Sequence, residues 1–128
     1  MGLFTRRSGA SDSRGAQSAL PLVSTDEFDH SVIEASRTRP VLVDFWAPWC
    51  RPCKAMDPVL AELAARFGEQ ASIVGVDIQS EPALASRLQI LSIPLLVIYR
   101  DGEQVASLHG AQPKRAIADL IDDQLSNS

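Results

Sequence analysis

Val41-Leu42-Val43-Asp44-Phe45-Trp46, running directly into Ala47-Pro48-Trp49-Cys50-Arg51-Pro52-Cys53, is the stretch on which the fold turns. Six residues that are apolar almost throughout suit a strand covered on both faces, in the middle of a sheet. A carboxylate, Asp44, interrupts that run. Ala47 to Cys50 reads as a turn. From Arg51 to Phe67 the pattern is helical, with Met56, Val59, Leu60, Leu63, Ala64 and Phe67 on one apolar face. Pro52 falls in the first turn, where a missing N–H is harmless. Pro58 lies inside the helix and is expected to bend it, and Gly68 suits its C-terminal end.

Working outward, Leu20-Pro21-Leu22-Val23 reads as a short edge strand, since Pro21 cannot donate to a ladder. Ser24 and Glu27 have capping-box spacing, and Phe28, Val32 and Ile33 then form one helical face. Ile73 to Ile78 is a second interior strand, Pro82 to Leu88 a short helix, and Pro94 to Tyr99 a third strong strand. Asp101-Gly102 signals a hairpin turn into a returning strand, Gln104 to Leu108. A last helix spans Pro113 to Leu125. This order predicts an α/β domain over residues 20–128, with a central mixed five-stranded sheet flanked by four helices. Residues 1–19 are polar, rich in Gly and Ser and without periodicity, and read as a disordered tail.

The chain of 128 residues is 45 % apolar and carries a net charge of −4, enough for one packed core and with no basic excess. A nucleic-acid partner is therefore not expected. No apolar run is long enough to span a bilayer, and no signal-peptide core follows Arg6 and Arg7. Gly2 resembles a myristoylation start, but Arg6 occupies the position that wants Ser or Thr. Asp12 argues against a transit peptide, so a cytoplasmic location is expected. A monomer is expected as well. Cys50 and Cys53 are the only cysteines. A bridge across two residues closes too small a loop to stabilise much, and two thiols supply only half a zinc shell, His30 and His109 having no obvious ligand spacing. No metal is expected.

Thiol–disulfide exchange needs an attacking thiolate and a second thiol within reach of the mixed disulfide. Cys50, at the start of the helix, has the partial positive charge and free N–H groups that stabilise a thiolate. Cys53, one turn inside, is the natural resolver. The segment Trp46-Ala47-Pro48-Trp49-Cys50-Arg51-Pro52-Cys53-Lys54 resembles the active-site segment of the thioredoxin family. Val43-Asp44-Phe45, Pro58, Ser92-Ile93-Pro94, Asp101-Gly102-Glu103 and Gly110-Ala111 follow in the family's order and spacing, so that the resemblance covers roughly residues 21–125.

The resemblance implies a thioredoxin fold and a redox disulfide between Cys50 and Cys53. It implies a cis Ile93-Pro94 peptide beside the sulfurs, with the Ile93 backbone pairing to an extended substrate. It implies a docking surface of Trp49, Pro52, Ile93, Gly110 and Ala111, with Arg51 at its edge, and a role for Asp44 as buried proton acceptor for the resolving thiol. It implies protein disulfide substrates, no bound cofactor, and electrons from NADPH through a thioredoxin reductase. Four residues depart from the family's habit: Arg51 where Gly is usual, Gly75 where many members have Lys, Leu95 where Thr is commoner, and His109 where an apolar residue is frequent. With Gly75 in place of a lysine, burial should hold the Asp44 carboxyl above its usual range. A cation at Arg51 favours the Cys50 thiolate and makes the couple more oxidising. The leading reading is a protein disulfide reductase. An isomerase or oxidant of raised potential and a redox-linked holdase or binding module are its alternatives.

Overall fold

The computed structural model describes residues 20–126; the tail expected over residues 1–19 lies outside the described residues. Four strands form one sheet: β1 Val41–Trp46, β2 Ser72–Asp77, β3 Leu95–Arg100 and β4 Glu103–His109, in the order β2-β1-β3-β4. β1 is parallel to β2 and antiparallel to β3, and β3 is antiparallel to β4. β1 is buried at every position, as a strand apolar on both faces must be. The fold is the thioredoxin fold, a mixed sheet flanked by helices.

The expected fifth strand is reduced to a single parallel bridge between Leu22 and Gly75. Gly75 N–H donates to Pro21 O at 2.9 Å, and Val23 N–H donates to Gly75 O at 2.8 Å. The next bond toward the N-terminus would need an N–H on residue 21, which proline lacks. Toward the C-terminus the chain turns away at once into the capping box. There Ser24 N–H donates to Glu27 Oε1 at 3.0 Å, and Glu27 N–H donates to Ser24 Oγ at 3.3 Å. The helical segment that follows is π-helical over Asp29–Glu34 and 3-10 over Ala35–Arg37, rather than a regular α-helix.

Three α-helices complete the fold: α1 Arg51–Phe67, α2 Pro82–Arg87 and α3 Lys114–Ser126. α1 runs unbroken through Pro58. Side chains alternate along a strand, so Leu42 joins Met56, Leu60 and Leu63 of α1 and Ile117 and Ile121 of α3 on one face of the sheet. Val41, Val43 and Phe45 join Phe28, Val32 and Leu84 on the other. By the same alternation Asp44 shares the face of Leu42, beneath α1. The two-residue turn Asp101-Gly102 has positive φ at both positions, 56° and 84°, the geometry of the tight hairpin expected there.

Candidate active site

β1 delivers the chain to the site. After Trp46 the turn Ala47–Trp49 leads into Cys50, the N-cap of α1. Cys50 has an extended backbone, and its Sγ accepts the Cys53 N–H at 3.2 Å. The sulfur thus takes the place of the oxygen that usually caps a helix. The two cysteines are joined as a disulfide, with Cα atoms 5.3 Å apart. Cys50 is 5 % exposed and Cys53 1 %. Cys50 is the more accessible residue of the two, but by less than its place at the helix end suggests.

The disulfide sits in a small apolar nest. Trp46, Ala47, Cys50 and Cys53 are buried together, with Ile78 and Ile93 packed against them. The Ile93-Pro94 peptide is cis. Pro94 O accepts the Gly110 N–H at 2.8 Å, tying the loop after β4 to the loop before β3. Two residues on, Gln112 N–H points at Met56 Sδ of α1, at 3.4 Å. Trp49 is 66 % exposed; Arg51, Pro52 and Ala111 are exposed too, while Ile93 and Gly110 are half-buried. Of the residues singled out in the sequence, Cys50, Cys53 and Ile93 are in one cluster, and Pro94 and Gly110 are joined by a hydrogen bond. The Arg51 side chain has no ion-pair partner among the described residues. His109 lies across from Leu95 in the β3–β4 ladder, on the opposite sheet face from Asp44.

Asp44 is 1 % exposed, and its Oδ1 has no hydrogen-bond partner. Burial pushes its carboxyl from an ordinary 3.8 up to about 7, and the negative charge of Asp57 adds to the shift. Its neighbours across the sheet are Gly75 on β2 and Leu96 on β3, so neither side supplies a cation. Gly75 has a packing reason. A Cβ there would come within 3.2 Å of both the Trp46 indole nitrogen and a Leu22 methyl. A side chain at residue 75 would require the Trp46 ring and the Leu22 side chain to give way by a few tenths of an ångström.

Two residues near the site are missing from the sequence reading. Asp57 follows Cys53 by four residues on α1, and burial pushes its carboxyl up to about 6, against the opposing pull of Lys54. Its signal was positional: it stands at i+4 from Cys53 and i−3 from Leu60, both buried. Leu91, 94 % exposed, lies just before the cis-proline loop. No cluster of residues able to hold a metal ion is found among the described residues, and no helix there is long and apolar enough to cross a membrane.

A disulfide at a helix N-terminus, packed against the isoleucine of a cis Ile-Pro peptide, on a mixed α/β sheet whose central strand carries a buried carboxyl, is the arrangement of a thiol–disulfide oxidoreductase. Comparison with known proteins agrees. The thioredoxin family model matches residues 19–123. The chain is 42 % identical over 108 residues to thioredoxin 1 of Synechococcus elongatus, covering 84 % of this chain and 99 % of that protein. It is 42 % identical to the thioredoxin of Mycolicibacterium smegmatis, covering 84 % and 96 % respectively. It is 38 % identical to the thioredoxin of Staphylococcus haemolyticus, covering 84 % and 99 %. The chain belongs to the thioredoxin family and is a thiol–disulfide oxidoreductase.

Proposed function

We propose that the protein is a reductase of protein disulfides, in which Cys50 attacks and Cys53 resolves. The observation that carries this reading is the Cys50 sulfur at the N-cap of α1, accepting the Cys53 N–H, because that position stabilises negative charge on one sulfur of the pair. In the reduced protein the Cys50 thiolate attacks one sulfur of a substrate disulfide. A mixed disulfide forms, and the other substrate sulfur leaves as a thiolate. Cys53 then gives its proton to the Asp44 carboxylate and attacks Cys50 Sγ. The Cys50–Cys53 disulfide forms and the second substrate thiolate leaves. The substrate gains two electrons and this chain loses them.

A carboxyl at about 7 is poised for that proton transfer near neutral pH. Trp49, Pro52, Ile93, Gly110 and Ala111 form the docking surface, with Arg51 at its rim. The cis peptide leaves the backbone of Ile93 for an extended substrate, and Pro94 keeps an N–H away from the sulfurs. Residues 20–128 act as one domain, a cytoplasmic monomer. It takes its electrons from NADPH through a thioredoxin reductase and needs no group of its own. The test is reduction of insulin disulfides, driven once by dithiothreitol and once by NADPH with a thioredoxin reductase. Turnover in both assays is expected. Protection of an unfolding client without turnover in either would favour a binding module instead.

A further inference from the structure

Asp57 occupies a boundary. The line Cys53-Asp57-Leu60 runs down one side of α1 at the spacing that brings side chains into contact. Cys53 and Leu60 are buried, whereas Asp57 is only partly so. Its carboxylate therefore stands where the sheet-facing side of the helix meets solvent. Facing α1 from β1 is Asp44, with an unpartnered Oδ1 and almost no exposure. A buried carboxylate oxygen left without a donor is costly, and such groups usually persist for their chemistry. Asp57 lies one turn beyond Cys53 on the helix that covers β1, the strand carrying Asp44, and its negative charge adds to the upward shift of the Asp44 carboxyl.

Asp44 has no charged neighbour on the adjacent strands. β2 presents Gly75 and β3 presents Leu96 beside Asp44. α3 contributes Ile117, Ala118 and Ile121 to the core, and its Lys114 is paired with Glu62 of α1. Lys54, exposed on α1, is the cation that acts on Asp57.

We propose that Asp57 is a positioning residue for the resolving step, standing between the buried Asp44 carboxylate and solvent and carrying away the proton that Asp44 takes from Cys53. This rests on the assignment of Cys53 as the resolving thiol. The Cys53 proton passes to Asp44, from Asp44 to Asp57, and from Asp57 to water. The Cys53 thiolate closes the disulfide onto Cys50 Sγ. No electrons move along the carboxylates. A negative charge beside Asp44 also makes it the stronger base.

The reduced full-length protein mixed with 5,5′-dithiobis(2-nitrobenzoate) separates the steps. Attack by Cys50 releases a first thionitrobenzoate, and resolution by Cys53 releases the second. Both phases are followed by absorbance from about pH 5 to about pH 9, a range that spans the raised carboxyls of Asp57 and Asp44 and an ordinary thiol at about 8.5. Asp57→Asn should leave the first phase unchanged, which also shows that the variant is folded. It should slow the second phase about threefold at the alkaline plateau and move that phase's midpoint to lower pH. Asp57→Glu should restore the parent profile. A second phase in Asp57→Asn that superimposes on the parent's at every pH overturns the proposal. Cys53→Ser reports on the underlying reading alone: it should release only the first thionitrobenzoate, and release of both would contradict the assignment of Cys53 itself.

Discussion

Asp44 is a carboxyl group held in the core with one oxygen unpartnered, and its energetics follow from that. Its carboxyl, raised to about 7 in the disulfide form, binds a proton more tightly than in the unfolded chain. The stability conferred by that proton is complete below the unfolded pKa of about 3.9 and is lost as pH rises through about 7. Asp44→Ala should therefore be more stable than the parent at pH about 8, by on the order of 2–4 kcal/mol, with the advantage fading toward pH about 4. Urea melts of the oxidised proteins at both pH values check this; a variant less stable than the parent at the higher pH would mean an ionised, well-compensated Asp44. Arg51 follows Cys50 directly, at the start of α1. Its guanidinium stays charged and stands in the first turn of α1 beside Cys50, so Arg51→Gly should lower the reduction potential. Exposure and salt limit the change to about 20 mV or less. Equilibration with glutathione at low and high salt measures it, and an unchanged potential at low salt would leave Arg51 with no electronic role. Asp44 was legible in the sequence because a carboxylate breaks an apolar run. Asp57 was not, because an acidic residue on a helix ordinarily looks like solvent-facing surface.

Elements are joined here by a few specific contacts, and Ser36 is one of them. It is fully buried at the end of the first helical segment. Its Oγ donates to Ile33 O at 2.6 Å and accepts the Gly102 N–H at 2.8 Å, while its carbonyl accepts the Asp101 N–H at 2.8 Å. Both residues of the β3–β4 turn are thus fastened to the helical segment behind them. Ser36→Ala leaves the Gly102 N–H without that acceptor, and should lower the free energy of unfolding by about 1–3 kcal/mol. Urea denaturation decides it, an unmoved midpoint showing that water replaces the hydroxyl without loss. Most element boundaries could be read directly: α1 from its apolar face and Gly68, the hairpin from Asp101-Gly102, the interior strands from their unbroken hydrophobicity. The first strand could not. Whether Leu20 to Val23 forms a ladder or one bridge depends on which N–H groups meet a partner, and Pro21 removes the one that extension requires. The π-helical winding after the capping box has no counterpart in the hydrophobic pattern, which registers the buried positions Phe28 and Val32 but not the pitch between them.

Across the whole molecule, the sheet order β2-β1-β3-β4 places β1 in the interior and carries the chain from it directly into the cysteine turn. Residues far apart in sequence meet there: Cys50 and Cys53 from the start of α1, Ile93 and Pro94 before β3, Gly110 after β4. That convergence was not legible from local pattern, which supplies elements but not their assembly; it came from the resemblance of the ordered motifs to a known family. The packing of Trp46 over Gly75 belongs to the same level, since it depends on two strands lying side by side. The proposed reductase chemistry requires the two sulfurs to be unequal. Reduced Cys53→Ser and Cys50→Ser proteins, each mixed with insulin and analysed by intact-mass spectrometry under non-reducing conditions, measure that inequality directly. Cys53→Ser should accumulate a mixed disulfide between Cys50 and an insulin chain, because the attacking thiol remains and the resolver is gone, and Cys50→Ser should accumulate almost none. Equal trapping by both variants, or trapping by Cys50→Ser alone, would contradict the account.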